Sequence, residues 1–173
     1  MDLTEALLGI AALAVALAGF AGVAIALSGE AHRNVGDRYR IICLLSSTLP
    51  IIPLALLPLV LLFWPVSSAI TWRVASALGV LHCTGFAYLM RRNLREYRDH
   101  PDFPIMYRTT WTIIAVPIIL VVQLVQFMNA VGWPIDPNPG AFLLNLMVWV
   151  SYAAAVFADI IFVRPSGGPG ATA

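Results

Sequence analysis

The chain has 173 residues, 60% of them apolar and only 11% charged, less than half of the roughly one quarter that soluble domains carry. Mean hydropathy is +0.86 and the net charge is +1, so no global field calls for nucleic acid as a partner. All 10 basic residues are arginine, and without a lysine neither a Schiff base nor a P-loop phosphate clamp can be built.

A helix needs roughly 20 apolar residues to cross a hydrocarbon layer of about 30 Å. Five segments meet that length, at about 4–27, 41–64, 69–90, 110–131 and 141–163. The expected fold class is all-α, a polytopic bundle of five transmembrane helices in one domain over 1–164. Residues 165–173, rich in proline and glycine, are expected to form a flexible tail.

The first span follows an acidic Met-Asp-Leu-Thr-Glu. A cleaved leader would want a basic start and an apolar core of 7–15 residues, so a retained span is expected. Ala14, Ala18, Gly22 and Ala26 repeat every four residues and should let another helix approach. Glu5 lies about one turn below the outer surface, at the depth of Arg73 on the third span, and the two are expected to pair.

The second span is the most irregular. Pro50, Pro53 and Pro58 follow Ser46-Ser47-Thr48, and each interior proline frees a backbone carbonyl. In a membrane such groups must be met by neighbouring helices, hydroxyls or water. Interrupted helices also line binding sites in some transporters. The favoured reading is a kinked packing helix whose hydroxyls cap the loose carbonyls.

The third span carries Ala75, Gly79, Cys83 and Ala87 at four-residue spacing, with His82 beside Cys83. A lone intramembrane histidine suggests haem or metal ligation or a proton relay. A haem between helices would want a second axial ligand, yet His32 and His100 fall in loops, so no cofactor or metal is expected. Cys43 and Cys83 read as small buried hydrophobes. Beyond the span, Arg91 to Asp99 should prolong the helix, with Arg92–Glu96 and Arg95–Asp99 as i,i+4 pairs. Arg91, Arg92, Arg95 and Arg98 would face anionic lipid headgroups, at about 1 kcal/mol each. Asp99-His100-Pro101-Asp102 reads as turn capping before proline rather than a hydrated metal site.

Gln123, Gln126 and Asn129 share one broad face of the fourth span, and Asn145 enters at similar depth on the fifth. Amide glue between helices, at about 0.6 kcal/mol per bond, is the leading reading; an outward-facing polar vestibule is the alternative. On the fifth span Ser151 and Ala155 form a small row that Asp159 continues. Asp159 lies about 7 Å inside the boundary marked by Arg164, counting 1.5 Å per residue. It is expected to face protein and to pair with Arg38 or Arg40, as a structural anchor rather than a proton or ion site.

Basic residues collect in cytoplasmic loops. Arginines fill the connections after the first and third spans and begin the tail, while 65–68 and 132–140 hold none. The expected orientation is N-out and C-in, with Trp64, Trp72, Trp111 and Trp133 as an aromatic belt.

The run Phe20-Ala21-Gly22-Val23-Ala24-Ile25-Ala26-Leu27, then Asp37-Arg38-Tyr39-Arg40-Ile41, Leu57-Pro58, Asn129 and Phe162-Val163-Arg164, resembles a group of small bacterial multi-pass inner-membrane proteins. The resemblance implies a bacterial inner-membrane location and brings neither an activity nor site residues. No nucleophile-and-base constellation stands out, so the expected function is a non-catalytic accessory or scaffold that binds other membrane proteins or itself. A small transporter or channel for a proton, ion or small solute is the alternative.

Overall fold

Proline decides where the second apolar run divides. The computed structural model describes residues 2–27, 35–97 and 105–162, and among these the chain is all-α with no strand. The helices are α1 (Leu3–Leu27), α2 (Val35–Thr48), α3 (Ile51–Leu62), α4 (Ser68–Tyr97), α5 (Ile105–Val131) and α6 (Pro139–Phe162). α2 stops at Thr48, and Leu49-Pro50 forms a turn before α3. Pro50 keeps near-helical angles (φ −70°, ψ −21°), so α3 continues close to the path of α2. Pro53 falls in the first turn of α3, where a missing N–H costs little. Pro58 is the proline inside α3.

Three stretches are long and apolar enough to cross a membrane: Leu3–Val23, Arg38–Leu62, which takes in both α2 and α3, and Pro139–Ile161. α4 runs on to Tyr97, so the segment after Arg91 is helical as far as the described residues reach.

Cross-helix pairs fix the direction of each pass. Arg40 near the start of α2 meets Asp159 near the end of α6, and Cys43 Sγ lies 3.2 Å from Met90 Sδ near the end of α4. Phe20 and Phe157 stack at 6.0 Å, which brings the far end of α1 to the same pole. At the other pole, Asn129 of α5 bonds Ser76 of α4. The chain therefore reverses direction at each pass. The core runs through the centre, from Leu7, Ala14 and Leu44 to Ala75, Leu146 and Ala153.

Several expectations about faces are corrected. In α1 the buried row is Leu7, Ile10, Ala11, Ala14, Leu17 and Ala21, stepping by three and four. Of the expected small stripe Ala14 is buried, Ala18 is half-buried and Gly22 is exposed, with nothing within 4 Å of where a Cβ would sit. In α4 the stripe serves at Ala75, Gly79 and Cys83, while Ala87 is exposed. Trp64 and Trp133 are exposed near helix ends, but Trp72 is only 3% exposed and packs against Phe142 at 6.2 Å. Its indole N–H donates to Ser68 Oγ, so it belongs to the core rather than a belt. The side chain of Trp111 and the stretch Asp99–Asp102 lie outside the described residues, as do Arg98, Arg164 and the tail.

Candidate functional site

Two polar layers and one groove hold the chemistry of the bundle. The first layer joins α4, α5 and the start of α6. Asn138 precedes Pro139 and accepts the Ala141 N–H on its side-chain oxygen at 3.0 Å, so it caps α6, with proline at the first helical position. The Asn138 backbone is in turn held by Asn129. The Asn129 amide nitrogen donates to Asn138 O at 3.1 Å, and its oxygen accepts the Asn138 N–H at 2.9 Å. The same nitrogen donates to Ser76 Oγ at 2.7 Å.

One turn deeper, Gln126 donates to the carbonyl of Ala141. Asn145 accepts the Trp149 indole N–H at 3.0 Å. Gln123 reaches the carbonyl of Val80 at 3.1 Å and Thr84 Oγ1 at 3.2 Å. Gln126, Asn129 and Asn145 are fully buried. They are fitted around Gly79, where an added methyl would meet Asn145 Nδ2 at 2.9 Å and Gln126 Oε1 at 3.4 Å. Gln123, Gln126 and Asn129 tie helices together, whereas the Asn145 bond stays within α6. Gln123 Oε1, Gln126 Oε1 and Asn145 Nδ2 are buried without a hydrogen-bond partner.

The second layer is an ion pair. Arg40 Nε lies 2.8 Å from Asp159 Oδ2, with side-chain exposures of 6% and 14%. Of the two arginines considered for Asp159, Arg40 is the partner and Arg38 is exposed. The expected reason is corrected, because Ser151 and Ala155 are both exposed. The face of α6 that packs inward carries Asn145, Trp149, Val156 and the half-buried Tyr152, and Asp159 follows Val156 by three residues. Asp159 thus prolongs a row of large side chains rather than a row of small ones.

The expected Glu5–Arg73 pair does not form. α1 packs against α2, α3 and α6 and makes no contact with α4 among the described residues, so equal depth does not make the two neighbours. Glu5 instead accepts the Asp2 N–H at 3.2 Å at the start of α1. The Arg73 guanidinium lies against Gly132, where a methyl would come within 2.6 Å of Nη2. Gly132 has φ +77° and its N–H bonds back to Met128 O, closing the C-terminus of α5 in the manner of a left-handed cap. A guanidinium beside free C-terminal carbonyls is electrostatically favourable.

His82 resolves the proline break. Pro50 has no N–H, so the carbonyl of Ser46, four residues earlier, loses its helical donor. His82 Nε2 lies 3.4 Å from that carbonyl, a long contact that fits the tautomer carrying hydrogen on Nε2. The ring packs against Trp149 with centroids 4.7 Å apart. The hydroxyls of Ser47 and Thr48, expected to cap loose carbonyls, both donate to Leu44 O, which no proline frees.

His82 also lines a groove between α3 and α4. The groove has a volume of about 590 Å³, and its walls include Pro53, Leu57, Leu81, Gly85 and Leu89. A second cleft of about 610 Å³, lined by Tyr88, Arg91, Arg92, Arg95 and Glu96, follows at the end of α4. Among the described residues no group of three or more His, Cys, Asp or Glu side chains could hold a metal ion.

Sequence reasoning passed over three residues. Asn138 was signalled by its place before Pro-Gly, a helix-start pattern. Ser76 and Trp149 had no comparable signal, since a serine or tryptophan within an apolar run fits either a lipid-facing or a protein-facing site. Among known proteins, no family model matches the chain, and neither a curated protein nor a solved structure does.

Proposed function

We propose that this is a bacterial inner-membrane protein of five spans, with α2 and α3 forming one span and α4 and α5 completing the set. The N-terminus lies outside and the C-terminus in the cytoplasm. It acts without catalysis of its own, as an accessory or scaffold that binds other membrane proteins or a second copy. The orientation is supported by charge. Arg38, Arg40, Arg91, Arg92 and Arg95 gather at one pole of the bundle, and cytoplasmic flanks favour arginine.

One observation carries the scaffold reading. Most buried polar groups gather near the two poles, where they join helices. Between them the zone is largely apolar, with Ser47, Thr48 and His82 as isolated polar groups that bond locally or to one carbonyl. Asn145 and Asp159 stand fourteen residues apart on α6, about 21 Å along its axis at 1.5 Å per residue. Between them Leu146, Trp149, Val150, Ala153 and Val156 are buried. Carrying a proton, ion or polar solute would need a continuous hydrated route, and a layer with only isolated polar groups opposes one.

The test has two arms. Reporter fusions at residues 35, 100 and 170 should read cytoplasmic and at 135 periplasmic; a cytoplasmic signal at 135 overturns the topology. Mild-detergent purification from the native membrane should retain a stoichiometric membrane-protein partner or a second copy. If the pure chain instead carries proton flux in vesicles, and Asp159→Asn abolishes it without lowering folded yield, the transporter reading replaces this one.

A further inference from the structure

The groove between α3 and α4 and the arginine cleft follow one another along α4. On α4 the row Leu81, Gly85, Tyr88, Arg92 and Arg95 steps by four or three residues, which keeps it on a single face. Its first two members line the apolar groove and its last three line the cleft. The groove runs on α4 from Leu78 to Leu89, eleven residues or about 16 Å. That is close to half of a hydrocarbon layer of about 30 Å, the length available to one acyl chain in one leaflet. The prolines at 50 and 53 form the opposite wall. Gly85 leaves the groove clear, with no heavy atom within 4 Å of where its Cβ would lie. At the far end three guanidinium groups stand against the single carboxylate of Glu96, an excess of positive charge at headgroup level. An exposed tyrosine, Tyr88, lies at the junction, where one end of a side chain can be apolar and the other wet.

We propose that this site holds one anionic diacyl phospholipid, with an acyl chain in the groove and the phosphate at Arg92 and Arg95. The assignment rests on the reading of α4 as a span whose arginine end meets the cytoplasmic leaflet. It goes beyond a general attraction of arginines to headgroups, because it ties a charge preference to a chain-sized groove. A partner helix would fill the same groove but would not need the cationic cleft.

Full-length protein in mild detergent, analysed by native mass spectrometry, separates these possibilities. Phosphatidylglycerol and phosphatidylcholine of identical chains are titrated in competition, and inorganic phosphate is added in excess. Wild type should retain a single phosphatidylglycerol, preferred over phosphatidylcholine about tenfold, as two headgroup-level arginines would provide after screening. Arg92→Gln with Arg95→Gln should bring that preference to near parity while leaving phosphatidylcholine retention in place. Gly85→Leu, whose Cβ meets no heavy atom within 4 Å, should lower retention of both lipids by about the same factor.

Equal retention of the two lipids by wild type overturns the proposal, and so does a Gly85→Leu variant that retains both as wild type does. Displacement of phosphatidylglycerol by inorganic phosphate alone would mean an anion site without a chain, and also overturns it. A photocrosslinker at Leu81 that captures protein rather than lipid in native membranes assigns the groove to a partner helix instead. A reporter fusion at residue 100 keeps the two levels apart. A periplasmic signal there sinks the topology, whereas a cytoplasmic signal with unchanged lipid retention in the variants sinks this inference alone.

Discussion

At one pole of the bundle, Gln126, Asn129 and Asn145 are wholly buried. Gln126 and Asn129 bond to neighbouring segments through neutral amides, and Asn145 accepts from Trp149 within α6. At the other pole a single guanidinium meets a single carboxylate, and the carboxylate side chain keeps 14% of its exposure. The difference follows from the cost of removing each group from water. A neutral amide costs far less to bury than a charge, so Gln126 and Asn145 are buried even with one polar atom each unmet, and several weak bonds share the work. A charge is tolerated near a boundary and against its counter-charge, so at the arginine pole the join between α2 and α6 includes a charged contact. The amide layer therefore resists damage by being distributed. The ion pair concentrates its contribution in two residues.

Breaking the concentrated layer should have the largest effect. Asp159→Ala leaves the buried Arg40 without this acceptor and should destabilise the fold by about 3 kcal/mol, the low end for a buried pair because this one is partly exposed. The loss would be read as a drop in folded yield and thermal midpoint in mild detergent. Asp159→Asn should cost less. The exchange Arg40→Asp with Asp159→Arg should recover part of the loss, and no recovery would show that the contact contributes little.

The distributed layer should yield less to any one change. Asn129→Ala removes three hydrogen bonds and leaves Ser76 and the Asn138 backbone unmet, for roughly 2 kcal/mol at the bond strengths typical of membrane bundles. Asn145→Ala should cost less than Asn129→Ala in the same thermal assay. A loss at Asn145 equal to or larger than that at Asn129 would mean the layer depends on the Trp149 contact rather than on the α6 cap. The smallest effect is expected for Arg38→Gln, less than about 0.5 kcal/mol for an exposed side chain. Arg38 and Arg40 stand two residues apart, so a thermal midpoint that falls equally for both substitutions would remove the distinction drawn between them.

The course of the chain was legible in the sequence because apolar runs and arginine-bearing connections are one-dimensional signals. Three of the expected spans coincide with stretches long and apolar enough to cross a membrane, and the predicted extension beyond Arg91 is helical to Tyr97. The amide face of α5 was also legible. Gln123, Gln126 and Asn129 are the polar side chains in a run of apolar ones, and a polar group in such a run must turn toward protein. Asp159 is expected to face protein because it continues the row of Ser151 and Ala155, a row that is exposed. Counting its depth names Arg38 and Arg40 as partners, and Arg40 is the one it meets.

What the sequence could not determine was which apolar residue faces protein. In water, hydrophobicity separates inside from outside, but in a bilayer both sides of a helix are apolar and the signal vanishes. Ala153, Ala154 and Ala155 look alike in the sequence, yet Ala153 is buried and the other two are exposed. The same blindness misled the pairing of Glu5 with Arg73, where depth agreed but adjacency did not. It also hid the contact of His82 with the Ser46 carbonyl, thirty-six residues away. Sequence determined three stretches long and apolar enough to cross a membrane, and the clustering of arginines in the connections. Tertiary packing alone decided the partners, because helix register and neighbour order depend on shape, and composition does not record shape.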